Sequence, residues 1–317
     1  MLKYHLISNS YRLNIMRTSA PFESALISQM LERVQEKTQR SLSTDADDKT
    51  EKAKPILKLI GQKSIIRIAG PCALQSQDQA MAILDDIAQI ADMMRAPHHK
   101  PRTRPVDCDG NVLYTGMSPE AAFPIYDAIQ ATGMPVTTEI IEPRHIDMLK
   151  NAISMAWVGS RTMCGYLIEK IGAAAADAGL PIMVKNPMMD QPEIFIGMIE
   201  SAIKGSGGSV PVIACIRGLC PTNPDEKAKW RNVPMPGYVS DLRESFPNLT
   251  IIVDPSHMVH KKDPNPEETI KQILIEAMSR GANGHMVEVT HPDYPSITDP
   301  GIPTHAYLDM IADNLTL

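Results

Sequence analysis

Apolar residues recur along this chain in eight short runs, and nearly every run ends on a charged or potentially metal-ligating side chain. The endings read IIRIAGPC (Cys72), MMRAPHHKPRT (Arg95, Lys100, Arg102), MPVTTE (Glu139), AWVGSRT (Arg161), PIMVKN (Lys185), VIACIRG (Arg217), TIIVDPSH (His257) and HMVEV (Glu288). Short apolar runs bounded by turn signals are the pattern of strands buried on both faces. They predict strands at about 64–69, 91–96, 135–140, 154–159, 181–186, 211–216, 250–254 and 284–289. Between them, 77–90, 119–131, 143–151, 165–178, 192–204 and 266–280 carry apolar residues at helical spacing. Starts recur every ~30 residues, the size of one βα unit. Gly133, Gly159, Gly179, Gly281 and Gly284 mark the boundaries. Eight such units predict an α/β fold, a closed (β/α)8 TIM barrel. One face of that barrel collects the C-terminal ends of all strands, and active sites of such barrels lie there.

Ahead of the first strand the pattern changes. Residues 1–20 show no clear period, whereas Phe22, Ala25, Leu26, Met30, Leu31 and Val34 fall at helical spacing between Pro21 and about Arg40. The polar stretch 41–54 reads as a linker or exposed loop. The chain is therefore expected to divide into an N-terminal helical extension, 1–60, serving packing or dimerisation, and a catalytic barrel, 61–317. The loops after strands 2 (104–118) and 6 (218–240) are long and rich in Pro, Asp and Asn, as expected of loops that bind or cover a substrate. The GSGG at 205–208 lacks the lysine and following helix of a phosphate loop and reads as a helix stop.

Composition narrows the class. The 317 residues, 43% hydrophobic and 21% charged, suit one barrel of ~250 residues plus an extension. No apolar run approaches the ~18 residues of a bilayer span, and the N-terminus lacks the apolar core and cleavage site of a secretory signal. Five scattered cysteines (72, 108, 164, 215, 220) point to a reducing compartment, and a cytoplasmic location is expected. The net charge of −6 offers no broad attraction to nucleic acid. Yet Arg95, Lys100, Arg102, Arg104, Arg161, Lys185 and Arg217 all fall at strand ends or just beyond. A local cationic cluster in an acidic protein suits small anionic ligands.

Two sets of residues carry candidate chemistry. Cys72, His257, Glu288 and Asp299 follow strands 1, 7, 8 and 8, and one sulfur, one imidazole and two carboxylates suit a divalent ion such as Mn²⁺, Fe²⁺, Co²⁺ or Zn²⁺. His285, His291 and Asp293 compete for the same role, and spacing alone does not choose among them. Arg161, Lys185 and Arg217 end successive strands, where they either pair with Glu139 or Asp254 or bind acidic groups of a ligand. KPRT (Lys100–Thr103) adds two cations and a hydroxyl on a proline-stiffened backbone. Prolines in GPC and DPSH limit where Cys72 and His257 point.

Taken in order, GPC at 70–72, R-x4-KPRT at 95–103, TE at 138–139, GSRT at 159–162, VKN at 184–186, RG at 217–218, DPSH at 254–257 and MVEV at 286–289 resemble the type I 3-deoxy-D-arabino-heptulosonate-7-phosphate (DAHP) synthases, over about residues 60–305. The resemblance implies a metal-dependent transferase of the shikimate pathway, condensing phosphoenolpyruvate with erythrose 4-phosphate. It implies Cys72, His257, Glu288 and Asp299 as metal ligands. It places Arg95, Lys100, Arg161, Lys185 and Arg217 around phosphoenolpyruvate, and Arg102 and Thr103 around erythrose 4-phosphate. It sets Glu139 near the reacting carbons. Lys100, Glu139 and His257 are the candidates for proton transfer. It also implies a homo-oligomer, dimer or tetramer. The chain departs from the family pattern at Ala73, Ser160 and the APHH before KPRT. Three other readings stay open: a sister synthase using a longer aldose phosphate, a Schiff-base aldolase using Lys185, and a non-catalytic phosphate-ligand-binding paralogue.

Overall fold

Eight parallel strands close on themselves. In the computed structural model, which describes residues 29, 32, 58–60, 65–106, 109–299 and 301–312, they are β1 (Ile66–Gly70), β2 (Met93–Arg95), β3 (Val136–Glu139), β4 (Met155–Val158), β5 (Ile182–Lys185), β6 (Val212–Ile216), β7 (Thr250–Val253) and β8 (Gly284–Thr290). Each pairs with the next, and β8 pairs back to β1 with Ile66 opposite Gly284 and Gly70 opposite Glu288. All eight lie where the apolar runs predict them, and the barrel is the expected (β/α)8 type. The predicted helix at 21–40 and linker at 41–54 lie outside the described residues, apart from Gln29 and Glu32, which are helical and exposed.

Strands such as β4 (MAWV) and β6 (VIACI) read as unbroken apolar runs because both of their faces are covered. Alternate residues form two separate cores. Ile66, Ile68, Met93, Met155, Trp157, Met183, Ile213, Cys215, Ile252 and Met286 fill the barrel interior. Ala156, Val158, Ala214, Ile216, Val287 and Val289 face outward against the helices. Leu59 and Ile60, just ahead of β1, pack against the interior cluster. Four methionines in that interior suit its irregular volume, since unbranched thioether chains adapt to gaps.

Helices α1 (Gln77–Ile87), α2 (Pro119–Ala131), α3 (Pro143–Leu149), α4 (Gly165–Asp177) and α5 (Pro192–Ser206) follow the first five strands. The Ser76 and Ser118 side chains cap α1 and α2, and proline opens α2, α3 and α5, where its missing N–H costs nothing. Gly207, at φ 58°, ends α5 in the left-handed conformation, so GSGG is the predicted helix stop. The loop after β6 differs from its predicted irregularity. It holds α6 (Pro224–Lys229), capped by Asn223, and α7 (Gly237–Ser245). Helix α6 buries none of its residues, so it leaves no apolar period in the sequence. Next come α8 (Pro266–Ser279), the two-residue β9 (Ile302–Pro303) beside β8, and α9 (Thr304–Ala312). No described helix is long and apolar enough to cross a membrane.

Candidate active site

The C-terminal ends of β1, β7 and β8 bring together the donor atoms named from the sequence. Gly70 ends β1 at φ 151°, and a Cβ there would run into the Arg95 carbonyl of β2, so glycine lets the chain turn tightly to Cys72. Ligand atoms of Cys72, Glu288 and Asp299 all lie within 4.8 Å of one another. His257, at the end of the short 3₁₀ turn Pro255–His257 after β7, stands beside them with Nε2 3.5 Å from Glu288 Oε1. Its Nδ1 lies 3.0 Å from Asp254 Oδ1, a carboxylate partner of the kind that orients metal-binding imidazoles.

Strand alternation decides between the competing histidines. Met286 points into the barrel, so Glu288 does too, while His285, Val287 and Val289 point outward. His285 is buried there with Nε2 3.0 Å from the Tyr307 hydroxyl. His291 lies 3.9 Å from Asp86 and 4.0 Å from Asp293, in a separate set of contacts.

The donor set fits a divalent transition ion. Both carboxylate oxygens of Glu288 are buried without a hydrogen-bond partner, although Arg95 Nη2 forms an ion pair with Oε1 at 3.0 Å. Burial opposes ionisation of Glu288, but the charges of His257, Arg95 and Lys100 outweigh it and hold the carboxyl at about 2. Burial and the Arg217 guanidinium push His257 down to about 4, leaving a neutral imidazole at pH 7. Burial and Glu288 push the Cys72 thiol up, and the Lys100 ammonium opposes them from 3.0 Å. A bound cation would reverse that balance, since a metal-ligating thiol is deprotonated.

A second layer is cationic. Asp254, fully buried, lies 2.7 Å from Lys185 Nζ and 3.6 Å from Arg95 Nη1. The Trp157 ring sits against both cations, 4.9 Å from Lys185 Nζ and 5.5 Å from the Arg95 guanidinium carbon. Arg217 is different. Its Nη1 donates to Ser160 Oγ at 3.2 Å, and among the described residues its Nε is buried without a partner and no carboxylate forms an ion pair with it. Its backbone is locked on both sides, with N donating to Asn186 Oδ1 and O accepting from Asn232 Nδ2. Arg231 reaches in from the loop after β6 and donates to Asp299 Oδ2 at 2.7 Å. Against the carboxylates of Asp254, Glu288 and Asp299 stand Arg95, Lys100, Lys185, Arg217 and Arg231, so cations outnumber carboxylates in this cluster.

The remaining predicted residues sit further out. Glu139 ends β3 with its carboxylate against Gly159, where any Cβ would collide with it. Arg161 and Thr103 are exposed, and Arg102 donates from Nε to the Tyr114 carbonyl at 2.9 Å. The KPRT loop is pinned at its base, with Lys100 N donating to Thr115 O and Met117 N to His98 O. Lys100 thus joins the inner cluster while Arg102 and Thr103 stay at the mouth. Sequence reasoning missed Arg231, which sits in a loop far from any strand end, and Trp157, which looks like any other apolar strand residue. It named Asp254 only as a salt-bridge partner, not as the acceptor shared by Lys185, Arg95 and His257.

Comparison with known proteins agrees with this architecture. A truncated 3-deoxy-D-arabino-heptulosonate 7-phosphate synthase from Thermotoga maritima superposes with TM-score 0.62 at 18% identity, over 79% of this chain and 85% of that one. The phospho-2-dehydro-3-deoxyheptonate aldolase (DAHP synthase) of the same organism gives TM-score 0.65 at 21% identity, over 79% and 68%. A 2-dehydro-3-deoxyphosphooctonate aldolase from Methylobacillus flagellatus is 20% identical over 71% of this chain and 80% of its own. Another from Aromatoleum aromaticum is 25% identical over 49% and 56%. The model of the DAHP synthetase I family matches residues 45–301. The chain belongs to the DAHP synthetase I family.

Proposed function

We propose that the protein condenses phosphoenolpyruvate with erythrose 4-phosphate to give DAHP and inorganic phosphate, as a metal-dependent enzyme. The observation that carries this reading is one juxtaposition: the Cys72, Glu288 and Asp299 donors within 4.8 Å of one another, with Lys100 3.0 Å from the thiol, beside the unpaired guanidinium edge of Arg217. A site that only bound phosphate would need no such donor set.

In this reading Cys72, His257, Glu288 and Asp299 hold the ion, which supplies Lewis-acid polarisation of the aldehyde oxygen. Arg95, Lys185 and Arg217 hold the phosphoenolpyruvate carboxylate and phosphate, with Lys100 and Arg161 closing the site. Arg102 and Thr103 hold the aldose phosphate at the mouth. Fixing both substrates turns a two-body encounter into an oriented pair. The C3 carbon of phosphoenolpyruvate forms a bond to the aldehyde carbon, water adds at C2, and the resulting hemiketal phosphate expels inorganic phosphate. In this proposal Lys100 donates a proton to the developing alkoxide, and Glu139 takes one from the attacking water. His257 is held neutral by its surroundings, and serves as a ligand whose orientation Asp254 fixes. Residues 1–60 act as a packing or dimerisation arm of a homo-oligomer whose catalytic barrel spans 61–317.

The relatives that carry an octulosonate name make aldose choice the point to test. Supplied with phosphoenolpyruvate and either erythrose 4-phosphate or arabinose 5-phosphate, the protein is expected to yield the seven-carbon product, identified by mass. An eight-carbon product alone would transfer the proposal to the sister reaction.

A further inference from the structure

The histidines of the APHH stretch take no part in the site just described. His98 is fully buried after β2, His99 beside it is half-buried, and His145 is buried on α3. Ring centroids lie 5.3 Å apart for His98 and His145, 6.3 Å for His98 and His99, and 6.5 Å for His99 and His145.

Hydrogen bonding fixes where the protons sit. The Tyr126 hydroxyl lies 2.6 Å from the Ala96 carbonyl, which can only accept, so Tyr126 donates there. Thr138 Oγ1, 2.8 Å from the same hydroxyl, must then donate to Tyr126. His98 Nδ1, 3.0 Å from Thr138 Oγ1, must therefore carry a proton and donate it. Burial and the neighbouring His145 and His99 push His98 down to about 3, so the ring is neutral and Nε2 is a bare lone pair. That nitrogen is buried and has no hydrogen-bond partner among the described residues. In His145, Nε2 lies 3.4 Å from Glu142 Oε1. Its Nδ1 is also buried without a hydrogen-bond partner among the described residues. Each of these unpartnered nitrogens calls for an occupant, and a cation can take the lone pair of a neutral ring.

We propose that His98 Nε2 and His145 Nδ1, with His99 as a third ligand, form a second site for a divalent transition ion of the zinc, nickel or copper type, separate from the Cys72 cluster. Imidazole suits these ions. Metal-ligating histidines commonly give their other ring N–H to a fixed acceptor, the role Thr138 plays for His98. Two imidazoles on one tetrahedral ion at ~2.0–2.1 Å place their ring centres ~5 Å apart, close to the separation of His98 and His145. His99 stands further off. Cys72, Glu288 and Asp299 are the only three donors within 4.8 Å among the described residues, so His99 must swing inward for the imidazole site to close. Glu142 and Glu120 add negative charge near His145, and Arg144 opposes them. Because His98 O accepts from Met117 N and Lys100 N donates to Thr115 O, an ion there would tie α3 to the base of the KPRT loop.

The test is equilibrium dialysis of the chelator-stripped, full-length protein against Zn²⁺. Wild type is expected to hold one ion more than His145→Phe, and Cys72→Ser is expected to keep the imidazole-bound ion. Long-range ¹H–¹⁵N spectra of the unsubstituted protein need no variant to fold. They should show His98 protonated at Nδ1, and added Zn²⁺ should shift His98 Nε2 and His145 Nδ1. An ion that survives Cys72→Ser and vanishes in His145→Phe would support this site whatever becomes of the Cys72 cluster. Equal zinc content in wild type and His145→Phe, with unmoved imidazole resonances, would overturn it and leave an ordered water as the occupant.

Discussion

Replacing Asp254 by Asn changes little in shape and removes one charge where Lys185, Arg95 and His257 converge. At an effective dielectric of ~20, a unit pair attracts by about 6 kcal/mol at the Lys185 distance of 2.7 Å and about 5 kcal/mol at the Arg95 distance of 3.6 Å. Those attractions stand against a desolvation cost of several kcal/mol per buried ion. Losing one partner of a buried pair leaves that cost uncompensated and typically destabilises by ~3–5 kcal/mol. Glu288 still faces Arg95 at 3.0 Å, so Arg95 keeps a counter-ion. Lys185, which pairs with no other carboxylate among the described residues, bears most of the loss. Urea unfolding of wild type and Asp254→Asn side by side is expected to show a drop of ~3 kcal/mol or more. A change below ~1 kcal/mol, the range of an exposed pair, would refute the view that Asp254 neutralises buried cations.

Other outcomes follow from the same geometry. Lys185→Ala removes a charge-assisted contact to phosphoenolpyruvate and should raise its KM by about 10- to 100-fold; an unchanged KM in steady-state kinetics would take Lys185 out of the site. His98 and His285, held at about 3, and His257, held at about 4, lie below the ~6.5 of an unfolded histidine. In that window the unfolded chain binds more protons than the folded one, so stability is full above pH ~6.5 and falls as the pH drops towards 4. Denaturation midpoints that stay level between pH 7 and 5 would contradict this. Gly159→Ala places a methyl group against the Glu139 carboxylate and should lower kcat with little change in the far-ultraviolet circular dichroism; full activity would show that Glu139 can move without consequence.

The barrel was legible because most strands are covered on both faces and read as short apolar runs. Even the three-residue β2 has this character, and Pro97 marks its end. The same continuity hid direction. Nothing in GHMVEV says that Glu288 faces inward and His285 outward until the register with β1 is known. Helix α6 escaped because it buries no side chain and so carries no apolar period. Ordered motifs placed Cys72, Lys100, His257, Glu288 and Asp299 in one neighbourhood. The convergence on Asp254 depends on side-chain directions in the turn after β7, and Arg231 reaches Asp299 only through a folded loop. The imidazole pocket joins APHH to a histidine 46 positions beyond His99, which only the packing of α3 against the end of β2 reveals.

The account rests most directly on phosphate release from phosphoenolpyruvate, measured with and without erythrose 4-phosphate in chelator-treated protein and again after Mn²⁺ is restored, with Cys72→Ser in parallel. It predicts release that requires the aldose, disappears with chelator, returns with Mn²⁺, and stays low in Cys72→Ser at the same Mn²⁺ concentration. Aldose-dependent release that persists in chelator, or that Cys72→Ser leaves intact, would contradict it.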